Sequence, residues 1–142
     1  MRRELSNAFG KTYLTINYDA VNNWVYNNWI GYQTHAGILV GAEAGLEVLM
    51  KRQCPYLLND NSLVVGPWDH AVEWIAQDWT PRAIAGGLTH FAHVVDPGSL
   101  AALSAEAMHT SIGDYFQMRT FGSLAEAQTW LRHAQSPGRV LR

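Results

Sequence analysis

Residues 24–59, "WVYNNWIGYQTHAGILVGAEAGLEVLMKRQCPYLLN", decide the fold. Trp24, Tyr26 and Ile30 alternate against Val25 and Trp29, the period of a β-strand. Thr34 can then cap a helix running to about Arg52, with Ile38, Ala42, Gly45, Leu46 and Leu49 near helical spacing. Residues 56–59 read as a second, short and mostly apolar strand. Three glycines, Gly37, Gly41 and Gly45, recur every four residues along the helix. Each costs roughly 1 kcal/mol against Ala, so a helix that keeps them must pack one face closely on a sheet.

Upstream, residues 13–18 alternate as well, with Leu14, Ile16 and Tyr18 on one face. The turn formers "DAVNN" separate the two alternating runs, so the chain opens with an antiparallel hairpin. Asn27 and Asn28 are poor strand formers, and a wet face is expected there. Downstream, Pro67 fits the first turn of a helix over about 68–79, with Trp68, Val72, Ile75 and Trp79 on one stripe. Pro81 interrupts it, and "RAIAGGL" makes a short turn or helix that Gly86 and Gly87 end. Residues 89–95 form a strand around Phe91, "DPGS" turns the chain, and Ser99 can cap a helix over 100–108. Residues 115–121 are the last strand. "SLAE", from Ser123 to Glu126, is a capping box opening a helix through Ala127, Trp130 and Leu131.

The order is therefore β-β-α-β-α-β-α-β-α. Helices alternating with strands after an opening hairpin predict an α/β domain with a mixed sheet and parallel crossovers. The domain is expected over residues 12–134, between a loose segment 1–11 and a loose tail 135–142.

With 142 residues the chain suits one domain with a real core. Ten basic and 12 acidic residues leave a formal charge of -2 and no basic stripe, which argues against nucleic acid as a partner. Cys54 is the only cysteine, so neither an intrachain disulfide nor a cysteine-based metal cluster can form. No apolar run reaches the about 18 residues of a membrane span. The start, "MRRELSNAFG", lacks an apolar stretch like that of a secretory signal, and a cytoplasmic location is the expectation.

The order of elements, with "YLTINYD", "NWVYNNWIGY", "LLNDN", "GPWDHAVEWIAQDWTPRAIAGGL" and "FAHVVDPG", resembles small bacterial proteins of the STAS-like superfamily, many from the Bacteroidetes lineage. The resemblance covers about residues 12–134 and speaks to fold more than to activity. It implies the anti-sigma-factor-antagonist fold, shared by signalling switches, cytoplasmic domains of sulfate transporters and lipid-binding CRAL-TRIO relatives. The switch members phosphorylate a serine in a D-S-x-G motif where a helix follows the central strand. Here Gly66, Pro67, Trp68 and Asp69 occupy that place, with no hydroxyl at the helix start.

Asn59, Asp60 and Asn61 follow a strand and can face the end of the sheet, where α/β proteins place ligands. They can equally close the strand-to-helix turn with their side chains. Trp68 and Trp79 share the apolar stripe and read as core, whereas Trp74 lies off it and is the candidate exposed ring. Flanked by Asp69, Asp78 and Arg82, these rings suit a protein partner or a small apolar ligand. His90 and His93 fall on opposite faces of one strand, so they cannot share a metal. His70 and Asp69, adjacent on a helix, diverge. Cys54 reads as a buried thiol.

No cofactor, metal site or catalytic residue follows from these motifs. The expectation is a non-catalytic regulatory or protein-interaction module of STAS-like type without the phosphorylatable serine, paired with a protein partner or with itself as a homodimer. The first alternative is a carrier of a small apolar or lipid-like ligand. The second is a small enzyme with Asp60, Asp69 or His90 as base.

Overall fold

A computed structural model describes residues 2–113 and 116–136. One sheet of six strands forms the centre: β1 (Arg2–Ser6), β2 (Thr12–Asp19), β3 (Trp24–Gly31), β4 (Tyr56–Val64), β5 (His90–Val94) and β6 (Gln117–Phe121). Their order across the sheet is their order in the chain. β1, β2 and β3 run antiparallel, and β3 to β6 run parallel. The mixed α/β sheet opening with a hairpin is as expected.

Three helical connections join the parallel strands: α1 (His35–Lys51), a composite crossover helix over 69–85, and α4 (Leu100–Ile112). Right-handed crossovers that always step the same way must put their helices on one face. Accordingly all three pack over Leu14, Ile16, Val25, Trp29, Leu57 and Phe91 in one large core. α5 (Leu124–Gln135) covers the opposite face with Ala127 and Leu131 against Trp24, Leu58, Ala92 and Val94. Thr34, Ser99 and Ser123 cap α1, α4 and α5, each accepting from the backbone N–H three residues on.

The glycine row on α1 is the close contact that its spacing implies. A Cβ on Gly41 would stand 2.7 Å from both Leu14 Cδ2 and Trp29 Cη2, and one on Gly45 2.8 Å from Asn27 Nδ2. Tyr13 adds a tie by donating its hydroxyl to the Gly37 carbonyl at 2.9 Å.

The structure departs from expectation at four places. Residues 2–6 are not loose but form β1, whose backbone pairs with β2 from Arg2↔Asn17 onward. Arg3 also reaches α1, donating to Glu47 at 3.0 Å. β4 does not end at Asn59 but continues through the polar triplet to Val64, because Asp60, Leu63 and Val64 pair with β3. Asn27 is buried rather than wet. The crossover helix starts at Asp69, past Pro67, and Pro81 does not stop it. A 3-10 turn (Asp69–Ala71), α2 (Val72–Trp74), a π-turn (Ile75–Trp79) and α3 (Thr80–Ala85) run on without a gap. Thr80 N–H bonds the Ile75 carbonyl, five residues back, just before the proline that has no N–H to give. Tyr115, where the last strand was expected to begin, and tail residues 137–142 lie outside the described residues.

Candidate functional site

Along β3, β4 and β5 the register aligns Asn27, Asn59 and His93 in one row across the sheet. All three face the side covered by α1 and the crossover helix, where core residues would ordinarily be apolar. Around the row lies a cavity of about 60 Å³. Gln33, Asn61 and Trp68 add further polar groups, while Ile38, Leu57, Ile75, Trp79, Phe91 and Met108 supply apolar walls. Every lining residue except Val64 is buried. Val64 ends β4, and Gln33 and Trp68 follow β3 and β4, so this side of the cavity lies at the carboxyl ends of parallel strands. Ligands of α/β sheets favour that position.

The shape of β4 prepares the site. Asn28 pairs with Asp60, but Ile30 pairs with Leu63, so β4 carries one extra residue between them. Such a bulge resets which side chains face inward. Asn59 and Asn61 line the cavity, then Val64 does, and Leu63 is left exposed. Asp60 points to the other face. There it accepts from the Tyr26 hydroxyl at 2.7 Å and from the Ser62 N–H at 2.9 Å. Burial, and then the bond to Asp60, push the Tyr26 hydroxyl pKa well up, so the phenol keeps its proton.

Some cavity groups are satisfied. Trp29 Nε1 donates to Asn59 Oδ1 at 2.8 Å, and Trp79 Nε1 to the Ala42 carbonyl at 2.9 Å. Gln33 Nε2 donates to the Ile30 carbonyl at 3.1 Å, and Trp68 N–H donates to Ser104 Oγ on α4 at 2.9 Å. Others have no partner among the described residues: Asn27 Oδ1, Gln33 Oε1, Trp68 Nε1 and both ring nitrogens of His93. His93 is fully buried between Trp68 and Phe91, with ring centroids 5.9 and 5.4 Å away. Burial pulls its pKa down to about 3 despite the opposing pull of Asp60, so the imidazole is neutral. Folded proteins seldom leave buried polar atoms unpaired, since each costs about 1–3 kcal/mol. Here five of them belong to four side chains that line one cavity.

The sequence candidates divide. Asn59 and Asn61 line the cavity, and Asp60 backs it from the opposite face. None of the three closes a strand-to-helix turn, because all three lie within β4. Trp68 lines the cavity, but Trp74 is half-buried and packs against the core beside it. Asp69 and Asp78 are exposed. Arg82 is exposed as well and forms ion pairs with Glu43 on α1 and with Asp78. The residues that sequence reasoning did not assign to the site are Asn27, Gln33 and His93. Two asparagines in mid-strand and a histidine inside "HFAHV" were the available signals.

His90 and His93 point to opposite faces, His90 toward Trp130 of α5. Among the described residues no three of His, Cys, Asp and Glu come together to hold a metal. No described helix is long and apolar enough to cross a membrane. Cys54 is buried, its thiol pKa pushed up by that burial. No protein-family model, curated protein or solved structure matches the chain.

Proposed function

We propose that the chain is a non-catalytic binding module of STAS-like type whose site for a small uncharged molecule is the cavity between the sheet and its crossover helix. One observation carries the reading: four side chains that hold five buried polar atoms without partners among the described residues line one space, and that lining bears no charged group. Transferring an ion into such surroundings is far more costly than transferring a neutral polar group. The sequential α/β winding suits the STAS-like assignment, and the helix start after β4 offers Pro67, Trp68 and Asp69 in place of a phosphorylatable serine.

Catalysis finds less support. Asp60 is sealed behind the sheet by Tyr26, Asp69 is exposed, and His90 faces α5. None of these three lines the cavity.

The test is ligand capture. The full chain, purified from its own host, is weighed by native mass spectrometry, and its tryptophan fluorescence is titrated with a set of neutral and charged fragments. A retained mass, or a saturable fluorescence change with neutral fragments alone, is expected because Trp29, Trp68 and Trp79 line the cavity. A bare mass together with no response to any fragment sinks the reading.

The protein-partner reading has its own support in three exposed apolar side chains, Tyr32, Leu63 and Val65, beside the carboxyl ends of β3 and β4. Leu63→Ser combined with Val65→Ser should shift the sedimentation of the chain if that patch joins two copies. An unchanged sedimentation coefficient across the micromolar range rejects it.

A further inference from the structure

The crossover helix and α4 leave a groove between them. Asp69, Val72, Glu73, Ala76, Ala107 and Ser111 line this surface channel of about 530 Å³. Helical spacing extends the α4 wall. Ala107 and Ser111 are one turn apart, and Leu103 and Leu100 continue the same row toward the helix start. Leu100 and Leu103 are 54% and 63% exposed. A row of large exposed apolar side chains beside a groove is the mark of an interaction surface. The groove shares no lining residue with the sheet cavity, so either site can exist without the other.

The charge of this surface is one-sided. Asp69 and Glu73 stand on one wall, and Glu106 is exposed on α4. None of these three carboxylates is in an ion pair among the described residues. No Lys or Arg occurs in residues 53–81 or 83–118, so neither wall carries a fixed cation. Arg82 turns instead to Glu43 of α1 and to Asp78.

We propose that the groove between the crossover helix and α4 is a docking site for an amphipathic helix of a partner protein, apolar on one face and flanked by Lys or Arg. Apolar side chains at i, i+3 or i+4, and i+7 meet Val72, Ala76, Leu103 and Ala107, as helices do in grooves. Lys and Arg beside them meet Asp69, Glu73 and Glu106. From Leu100 to Ser111 the row is about 16 Å long at 1.5 Å per residue, so the partner presents about three turns. A second copy across a two-fold axis fits poorly, because the same acidic residues would face each other. Nucleic acid and anionic lipid are repelled for the same reason.

The experiment follows the fluorescence anisotropy of labelled peptides added to the full chain. The probes are a Leu/Lys peptide with helical periodicity, its Leu/Glu counterpart, and a scrambled Leu/Lys peptide of equal composition. The periodic Leu/Lys peptide should bind saturably and at least about tenfold more tightly than the other two. Glu73→Lys and Leu103→Ser, both at exposed positions, should each weaken it at least about fivefold while the circular dichroism stays that of the parent. Glu4→Lys makes the same charge change on the edge strand β1, away from the groove, and should leave the affinity within about twofold. If one groove variant does not fold, the other decides. Equal binding of the acidic or scrambled peptide, equal weakening by Glu4→Lys, or no saturable binding overturns the proposal. So does a peptide-free chain that sediments as a dimer which Leu103→Ser dissolves, since a second copy then fills the groove.

Discussion

Trp29 Nε1 donates to Asn59 Oδ1 at 2.8 Å between the neighbouring strands β3 and β4. Because an indole N–H can only donate, the bond orients the Asn59 amide with its oxygen toward β3. It also fixes one wall of the cavity. Asn59→Leu should destabilise the chain by about 1–3 kcal/mol, chiefly because the indole is left unpaired. Adding Trp29→Phe should recover part of that loss. Denaturant unfolding of the two single variants and the double variant measures the coupling, and strictly additive losses would refute it.

Gly41 is the second test. Gly→Ala inside a helix ordinarily stabilises by about 1 kcal/mol. Here the added methyl would stand 2.7 Å from Leu14 Cδ2 and from the rigid Trp29 ring. Overpacking of that kind typically costs about 1–3 kcal/mol, so Gly41→Ala should lower stability on balance. A raised unfolding midpoint would mean that α1 does not sit so close to β2 and β3.

His93 sets a pH dependence. Its folded-state pKa, pulled down by burial to about 3, lies below the ordinary value near 6.5. The unfolded chain therefore binds a proton that the folded chain refuses. This contribution to stability is fully present above about pH 6.5 and is lost as the pH falls toward about 3, at roughly 1.4 kcal/mol per pH unit. Between about pH 6 and 4.5, where most carboxylates remain ionised, His93→Gln should flatten the slope by close to one proton. Equal slopes for the variant and the parent would show that His93 is not buried.

Tyr26 shields a buried carboxylate. Its hydroxyl donates to Asp60 Oδ2 at 2.7 Å, and the Ser62 N–H holds Oδ1 at 2.9 Å. Tyr26→Phe should cost about 1.5–3 kcal/mol, the range for a bond to a charged group. Asp60→Asn should recover part of the loss in that background, because a neutral amide needs the bond less. Calorimetric unfolding of the three chains decides it.

Much of this architecture was legible in the residue pattern. Alternation at Leu14–Ile16 and the caps Thr34, Ser99 and Ser123 located the elements, and the glycines of α1 announced a close approach. β1 escaped because "RRELS" carries one apolar residue. Its place rests on backbone pairing and an Arg3 ion pair, neither of which leaves a periodic trace. β4 was cut short because three polar residues after "YLL" read as a turn, although a bulged strand can bury them. The site was visible only in fragments. Asn27, Asn59 and His93 are more than 30 residues apart along the chain, and only the register of three strands lines them up.

The strictly consecutive strand order has a bearing on how the chain is made. Each new strand pairs with the one synthesised just before it, so no edge waits for a partner encoded far downstream. Each parallel pairing still joins residues 27 to 34 positions apart, so a whole crossover must close before the next strand docks, which slows that step. A nascent chain leaving the ribosome would thus add strands one at a time from β1, with the outer edge of β1 and the growing edge as its two exposed templates. The polar row of Asn27, Asn59 and His93 would then be complete only when β5 had docked.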